Sequence, residues 1–350
     1  MGEPRASLGQ SNVVRRVIYL LVAAAVVVPC IVTVSLPGKP NHLAEKVYQR
    51  VDDLKAGSHV LLAFDYDPSS KAELEPMSRA VLRHCFRKGV VPIVMTHWPS
   101  GLNLAKDICE STAAENWETF RTCMKDANFP CTRAQLIAYA ENQKSPPPVL
   151  QSVLYVLDQL GERTYQNLED VRTEKIFDLL PKTDLQAGRD YVVLGFRPGG
   201  AMLVLQMGEN LKGAFEKDVD GRLTQSMPAL QGVNSLRDID LAIDFAAGST
   251  VEMWVAYGSD RFNFPLAAGT TAVSAPEMYT WMQSGQIIGF LGGLRGAADY
   301  EVLLDMPGEA IKGMPSQSAA HVLLALLILG ANIGVVARRF ARKREGRPYA

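Results

Sequence analysis

The sequence carries almost no net charge. Its 36 lysine and arginine residues nearly balance 37 aspartate and glutamate residues, which leaves a formal charge of -1. Proteins that bind nucleic acids present a basic face, so this balance argues against a nucleic-acid partner. Three short motifs are also absent: G-x-G-x-x-G of dinucleotide sites, G-x-S-x-G of serine hydrolases, and C-x-x-C of zinc and thioredoxin-like sites. The sequence therefore contains no complete catalytic motif, and it indicates no particular reaction or cofactor.

Cysteine is scarce, with five residues in the chain. Four of them, Cys85, Cys109, Cys123 and Cys131, lie between the two longest apolar runs. An oxidising compartment would allow an even number of thiols to pair. Cys123 and Cys131 are close in sequence and form the expected pair, whereas the alternative is four reduced, half-buried thiols.

Two apolar runs are long enough for membrane segments. Residues 17–36 match the roughly 20 residues that a bilayer requires and predict an uncleaved signal anchor, with a cleaved signal peptide as the alternative. Residues 319–337 form the second predicted span, and the arginine-rich tail 338–350 follows it directly. By the positive-inside rule this tail is cytoplasmic. We therefore expect an integral protein of the plasma (inner) membrane, with residues 1–16 in the cytoplasm and the domain 41–316 outside it.

The domain begins with a strand–helix–strand unit. Residues 60–64 are a short, continuous apolar run, typical of a strand that is buried on both faces. Ser70 and Glu73 have the spacing of a capping box, and Gly89 is placed to end the helix. Residues 90–95 are a second apolar run. We therefore expect the two strands to be parallel, with a right-handed crossover through the helix that connects them.

The rest of the domain repeats this alternation. A helical insertion is predicted at about 102–165, between the second and third strands. Further strands are predicted at 190–196, 239–245 and 265–269, with helices at 201–215 and 250–257. About five such steps predict a three-layer α/β/α sheet that resembles a Rossmann-like or flavodoxin-like fold. This resemblance concerns the pattern of elements and implies no function.

Glycine patterns predict two surfaces of close packing. Gly330 and Gly334 form G-x-x-x-G inside the second apolar run, a pattern that favours helix pairing and a homo-oligomer. The segment Gly289–Gly296 contains four glycines on a predicted helix, where each costs about 1 kcal/mol relative to alanine. We expect that helix to pack closely on its own sheet, on a second subunit or on the membrane surface.

A glycine turn follows the third predicted strand. Arg197, Gly199 and Gly200 belong to an R-P-G-G sequence directly before a predicted helix. Free N–H groups at a helix N-terminus can hold an anion, and Arg197 would add a positive charge. The sequence thus predicts a candidate cofactor-binding site for an anionic group, with a plain tight turn as the alternative.

Several polar residues follow the predicted strands at their carboxyl ends, where open α/β sheets bind ligands. Asp65 and Asp67 follow the first strand, Thr96 and His97 follow the second, and Asp244 lies in the fourth. The D-x-D spacing resembles the first motif of haloacid-dehalogenase-like phosphatases. That resemblance implies Asp65 as nucleophile, Asp67 as acid/base, Thr96 as the second motif, and Asp244 as a ligand of magnesium. The alternative is that the carboxylates cap a helix or bind solvent.

The whole layout is similar to uncharacterised, membrane-anchored prokaryotic proteins. The segments that carry this similarity are FDYDPSS, TAVSAP and QSGQIIGFLGGLRGAADYE. No activity is attached to that group, so the similarity implies topology alone. We therefore predict a binding or assembly module of the cell envelope. The alternative is a membrane-tethered hydrolase, with or without a metal, that uses the carboxyl edge of the sheet.

Overall fold

A computed structural model describes residues 6–32, 39–124 and 185–344. The chain divides into two compact units, Met1–Lys39 together with Pro307–Ala350, and Pro40–Met306. The second unit contains the sheet.

Six parallel strands form one sheet in the part of the chain that the structure describes. They are β1 (His59–Asp65), β2 (Val91–Thr96), β3 (Val192–Phe196), β4 (Leu241–Ala246), β5 (Leu266–Thr270) and β6 (Phe290–Gly292). The helices around them are α2 (His42–Asp52), α3 (Lys71–Lys88), α4 (Gly101–Met124), α5 (Ala201–Ala214), α6 (Thr250–Met253), α7 (Asp260–Phe262), α8 (Ala275–Gln283) and α9 (Gly293–Leu303). The predicted α/β fold with a parallel sheet is confirmed.

The strand order is β3-β2-β1-β4-β5-β6. The chain builds the sheet outward in one direction from β1 to β3, and then returns to the other side of β1 with β4. The reversal of strand order therefore falls between β1 and β4. In open α/β sheets the crevice at this reversal, outside the carboxyl ends of the strands, is where ligands bind.

The sixth strand was not predicted. The prediction placed a helix across the glycine-rich segment, whereas Phe290–Gly292 pairs with β5 and the helix begins only at Gly293. The glycines still serve close packing, since a Cβ on Gly289 would lie 2.8 Å from the carbonyl oxygen of Leu43. A Cβ on Gly296 would likewise lie 2.8 Å from the Leu291 backbone. The close approach is thus made within the domain.

The predicted capping box of α3 is wrong, although the helix itself is confirmed. Ser70 makes no side-chain capping bond, and Glu73 accepts a hydrogen bond from the backbone N–H of Ala272 at 2.8 Å. A long-range contact to the segment after β5 therefore replaces the local one. Gly89 does end the helix, in the left-handed conformation with φ 66°.

The segment after β4 was predicted as one helix over 250–257. It is instead α6, a π-helix at Trp254–Ser259, and then α7. A π-helix holds more residues in each turn than an α-helix and often lies at a functional site. Here it places the indole of Trp254, which is 1% exposed, beneath the carboxyl edge of the sheet.

On the face of the sheet opposite Trp254, a polar cluster centred on the buried His84 joins the helices α2, α3 and α9. His84 Nδ1 lies 2.8 Å from the hydroxyl of Tyr300, and His84 Nε2 lies 3.3 Å from Asp52 Oδ1. Tyr48 stacks on the imidazole with ring centroids 4.5 Å apart. Burial outweighs the nearby Asp52 carboxylate and lowers the pKa of His84 to about 4.

The first unit contains two long helices, α1 (Ala6–Ile31) and α10 (Glu309–Arg344). They pack against each other, and the hydroxyl of Ser316 donates to the carbonyl of Val26 at 3.0 Å. Within the described residues, one helix, Glu309–Ala337, has the length and apolar composition to cross a membrane. The sequence predicted two such spans. The N-terminal one, 17–36, extends past the end of α1, and its last residues lie outside the described part.

Two further predictions also concern residues that the structure does not describe. The proposed partner of Cys123, Cys131, is not among the described residues, so the disulfide stays a prediction. Cys85 and Cys109 are buried free thiols. Of the predicted helical insertion, the structure describes α4 up to Met124, and the remainder of 102–165 lies outside it.

Candidate functional site

An aspartate and a histidine pair at the carboxyl ends of β1 and β2. His97 Nδ1 lies 2.8 Å from Asp65 Oδ2, and the backbone N–H of His97 donates to Asp65 Oδ1 at 2.7 Å. The side chains are 5% and 0% exposed. A carboxylate only accepts hydrogen bonds, so the Nδ1 proton points at Asp65 and fixes the tautomer of the ring. His97 Nε2 is left buried and without a hydrogen-bond partner among the described residues.

A second aspartate lies on the same face of the sheet. Asp244 is opposite Ala63 in the β1–β4 register, two residues before Asp65. Because side chains alternate along a strand, Asp244 and Asp65 project to one side. Asp244 is 1% exposed, and neither of its carboxyl oxygens has a partner of ordinary hydrogen-bond geometry in the described structure. Burial, and then the neighbouring Asp65 carboxylate, raises the pKa of Asp244 well above its ordinary value, and the nearby Thr250 hydroxyl opposes this rise only weakly.

Three further polar atoms at this edge are buried without a described partner. They are the hydroxyl of Thr250 at the start of α6, the indole nitrogen of Trp254 in the π-helix, and the hydroxyl of Thr270 at the end of β5. The Trp254 ring meets the His97 ring edge-on, with centroids 5.5 Å apart. Buried polar groups in native proteins are nearly always hydrogen-bonded, and each exception calls for an explanation. We call the set His97, Asp244, Thr250, Trp254 and Thr270 the unpaired polar cluster.

Thr96, another predicted site residue, holds the backbone in place. Its hydroxyl donates to the carbonyl of Phe64 at 2.7 Å and accepts from the backbone N–H of Trp98 at 3.0 Å. Gly101 packs directly above it, because a Cβ there would lie 2.6 Å from the Thr96 hydroxyl oxygen. Thr96 is therefore engaged with the backbone, and it shapes the turn that positions His97.

Asp67 does not join the pair. It is exposed, and its Oδ1 accepts from the backbone N–H and the hydroxyl of Ser69 at 2.9 and 2.6 Å. These hydrogen bonds lower the pKa of Asp67. Asp67 therefore stabilises the turn before α3 and does not cap that helix, whose N-cap residue is Ser70.

Magnesium, which the phosphatase resemblance implied, does not fit these residues. Both oxygens of Asp65 are engaged by His97, and Asp67 is tied to Ser69. The described residues contain no group of three or more histidine, cysteine, aspartate or glutamate side chains that could hold a metal ion. Asp65 is consequently a partner of His97 in this structure, and not an available nucleophile.

The R-P-G-G turn lies where it was predicted, between β3 and α5. Gly199 and Gly200 have φ values of 141° and 51°, which few other residues adopt. Arg197 extends over the ring of Phe215, 5.8 Å from its centroid. The backbone N–H groups of Met202 and Leu203 already donate to the carbonyls of Gly199 and Gly200. These contacts account for the turn without a bound anion.

The comparisons with known proteins add one partial match. Residues 119–172 match a family described as a protein of unknown function (DUF2795). This segment is a small part of the chain, and nearly all of it lies outside the described residues. No curated protein matches the chain, and no solved structure does. The similarity found is thus confined to a segment without an established function.

The sequence identified part of this site and missed the rest. Asp65, His97 and Asp244 were named as candidates, and the fold brings them to one face of one edge. Thr250, Trp254 and Thr270 were not named. Thr270 ends β5, and Thr250 begins the helix that follows β4, so their positions at the carboxyl ends of strands were the signal that could have identified them.

Proposed function

We propose that this protein is a membrane-anchored, Rossmann-like binding module for a small polar ligand. The ligand would bind at the carboxyl edge of the sheet, where the strand order reverses between β1 and β4. The observation that supports this most strongly is Asp244, a fully buried carboxyl group whose two oxygens have no partner of ordinary hydrogen-bond geometry among the described residues, although the Thr250 and Asp65 side chains lie close enough to affect its pKa. Such a group costs stability, about 1–3 kcal/mol for a neutral one, and a ligand that bonds to it would recover that free energy.

The arrangement of the site also favours binding. His97 Nε2 and the unpartnered atoms of Asp244, Thr250 and Trp254 combine acceptors and donors in a buried setting. Small-molecule sites typically combine apolar walls with a few polar groups of fixed orientation. Asp65 fixes the orientation of His97 from behind, as residues behind a binding site commonly do.

The binding hypothesis is tested by thermal unfolding of the full-length chain in detergent micelles. A library of small cations, anions and neutral polar compounds would be screened for an increase in melting temperature. A ligand at 100 times its dissociation constant adds about 2.7 kcal/mol of stability. We expect at least one increase that His97→Gln abolishes and Asp67→Asn retains. If every increase is unaffected by His97→Gln, or none occurs, binding at this edge is wrong.

The membrane part of the proposal rests on the apolar helix Glu309–Ala337 and the arginine-rich residues that follow it. We propose that α1 supplies a second span, with both termini in the cytoplasm and the sheet domain outside. Single cysteines at Ser7 or at Gln231, each in a chain whose five native cysteines are replaced by alanine, would be treated with a membrane-impermeant maleimide in intact cells. Labelling at Gln231 alone supports this topology, and labelling at Ser7 contradicts it.

Association of the chain through the apolar helix is a separate part of the proposal. A Cβ on Gly330 would meet no atom of the described residues within 4 Å, so α10 has space at this position. We propose that Gly330 and Gly334 pair with a second copy. Gly330→Leu should abolish crosslinking between full-length chains in membranes, whereas Leu329→Ala, one position away, should leave it intact. The Gly289–Gly296 segment is packed within its own domain, and we propose no association there.

A second candidate function is acid–base catalysis, such as hydrolysis. The observation that favours it is the Asp65–His97 pair, in which one imidazole nitrogen is held by a carboxylate and the other has no partner among the described residues. That arrangement positions a histidine as a general base. Turnover of a ligand found in the screen would establish catalysis, and its loss in a His97 variant that still binds this ligand would identify His97 as the general base.

A further inference from the structure

The unpaired polar cluster has more hydrogen-bond acceptors than fixed donors. Once ionised, Asp244 contributes two acceptor oxygens, and His97 contributes Nε2, which is an acceptor when the ring is neutral and Nδ1 carries the proton. The indole N–H of Trp254 is its one donor that cannot also accept. The hydroxyls of Thr250 and Thr270 can act in either role. A ligand that satisfies this cluster must therefore supply several N–H or O–H donors.

The charges around Asp244 favour a positive ligand. The ionisable groups placed with it at this edge are Asp65 and His97, and both are engaged with each other. No lysine or arginine is among the groups that influence Asp244. An anion would meet two carboxyl groups and no cationic partner. A metal cation would lack a third ligand, since the described residues offer no suitable group of three.

We propose that the ligand is a primary ammonium compound whose head group binds Asp244 and His97. This inference rests on the proposed binding function and names its ligand class. An ammonium group has three N–H donors, and a carboxylate is its natural partner. The step balances in charge: where Asp244 is protonated before binding, its proton passes to solvent as the ammonium binds, and where it is already ionised, no proton is released.

The surface of the same edge suggests an apolar remainder for this ligand. Trp98, directly after His97, is 48% exposed, and Val273, three residues beyond Thr270, is 88% exposed. Large apolar side chains exposed near a polar site favour ligands that carry carbon chains. The class we infer is therefore an alkylammonium, and not the bare ammonium ion.

The test is calorimetric titration of the full-length protein in a non-ionic detergent. The probes are n-butylammonium, with n-butanol and n-butyrate as its neutral and anionic counterparts. The titration is run at pH 7 in two buffers that differ in ionisation enthalpy, which measures the protons released. We expect saturable binding of n-butylammonium with release of up to one proton. Binding should weaken at least tenfold in Asp244→Asn and stay unchanged in Asp67→Asn, which removes an exposed carboxylate from the same strand end.

Other outcomes overturn the inference. Binding of n-butanol or n-butyrate that depends on Asp244, without binding of n-butylammonium, shows that the site takes another ligand class and leaves the proposed binding function standing. Binding of n-butylammonium with equal affinity in Asp244→Asn places the compound elsewhere. Absence of any saturable binding of n-butylammonium also rejects the class, while the broader His97-dependent screen decides the binding function separately. His97→Gln serves as a second variant if Asp244→Asn does not fold.

Discussion

His97 donates both its backbone N–H and its Nδ1 proton to one carboxylate, that of Asp65, at 2.7 and 2.8 Å. Two adjacent strands, β1 and β2, are thereby joined at their carboxyl ends by side-chain contacts in addition to the sheet ladder. The imidazole can neither rotate nor change tautomer without losing a buried hydrogen bond. This fixed geometry predicts that replacing Asp65 will affect the stability of the protein.

Asp65→Asn should destabilise the protein. An asparagine oxygen can accept one of the two bonds, but its NH2 group would then face a donor on His97. Breaking a buried hydrogen bond and leaving its partner unsatisfied costs about 1–3 kcal/mol. Urea unfolding of the full-length chain measures the difference. Asp67→Asn is the control, because asparagine keeps the acceptor oxygen for Ser69, and its midpoint should equal that of the wild type. Equal midpoints for both variants would contradict the structural role of Asp65.

Asp244→Asn should do the opposite and stabilise the ligand-free protein at neutral pH. The raised pKa of Asp244 means that the folded state keeps a proton that the unfolded chain loses above its ordinary value of 3.8. Stability contributed by this group is therefore complete below pH 3.8 and declines as the pH rises. Asparagine does not ionise and avoids the decline. Unfolding free energies measured from about pH 3.5 to 8 should diverge in favour of the variant as pH increases. A constant difference would show that Asp244 is not perturbed.

Two threonines provide a matched pair for the third prediction. Thr96→Val removes a hydroxyl that bonds to the backbone at both Phe64 and Trp98, and it should cost about 1–3 kcal/mol. Thr250→Val removes a buried hydroxyl that has no partner of ordinary hydrogen-bond geometry among the described residues and only a weak influence on Asp244, so it should leave stability unchanged or raise it. Thermal unfolding of both variants checks this. A large loss in Thr250→Val would reveal a hydrogen bond that the described residues do not contain.

The buried His84 should make stability depend on pH. Its pKa falls to about 4 in the folded protein, from an ordinary value of 6.5. Between these values the unfolded state binds a proton that the folded state does not, so stability decreases as the pH falls from about 6.5 to 4. A shift of this size corresponds to about 3 kcal/mol across the window. His84→Gln should flatten the slope. His59, whose pKa is also lowered by burial, contributes equally to both proteins and cancels in the comparison.

Packing of α5 on α7 gives the fifth prediction. A Cβ on Gly208 would collide with the ring of Phe262, which is itself 2% exposed and has little room to move. Gly208→Ala should therefore cost at least about 1–3 kcal/mol, despite the helix preference for alanine. Gly248→Ala is the control, since no atom in the described part of the chain lies within 4 Å of its Cβ position and its φ is not in the left-handed region. Its midpoint of urea unfolding should remain close to that of the wild type.

Features of this protein that depend on neighbouring residues in the sequence could be predicted, whereas features that depend on contacts between distant residues could not. Apolar runs predicted β1, β2, β4 and β5 to within a few residues, because a buried parallel strand must be apolar throughout. β6 was missed because three residues bordered by glycines are too few to show a strand pattern. The capping box failed because Glu73 has a distant partner that no local rule includes.

The candidate site divides in the same way. Parallel-strand logic placed Asp65, His97 and Asp244 at one edge of the sheet, because the carboxyl ends of such strands coincide. It could not separate Asp65 from Asp67, since the direction of each side chain depends on where the strand ends. Nor could it identify Asp244 as unpartnered, because that depends on every residue packed around it.

The π-helix after β4 restricts how many residues the connection between β4 and β5 can contain. Trp254 at its start contacts the His97 ring, and beyond its end Phe264 packs on Trp254, with ring centroids 6.5 Å apart. The π turn between Trp254 and Phe264 accommodates one residue more than a regular α-helical turn would. Removing one residue between Trp254 and Phe264 would give a regular helix whose two ends no longer meet their partners. This connection should therefore tolerate substitutions at its exposed positions much better than a single-residue deletion.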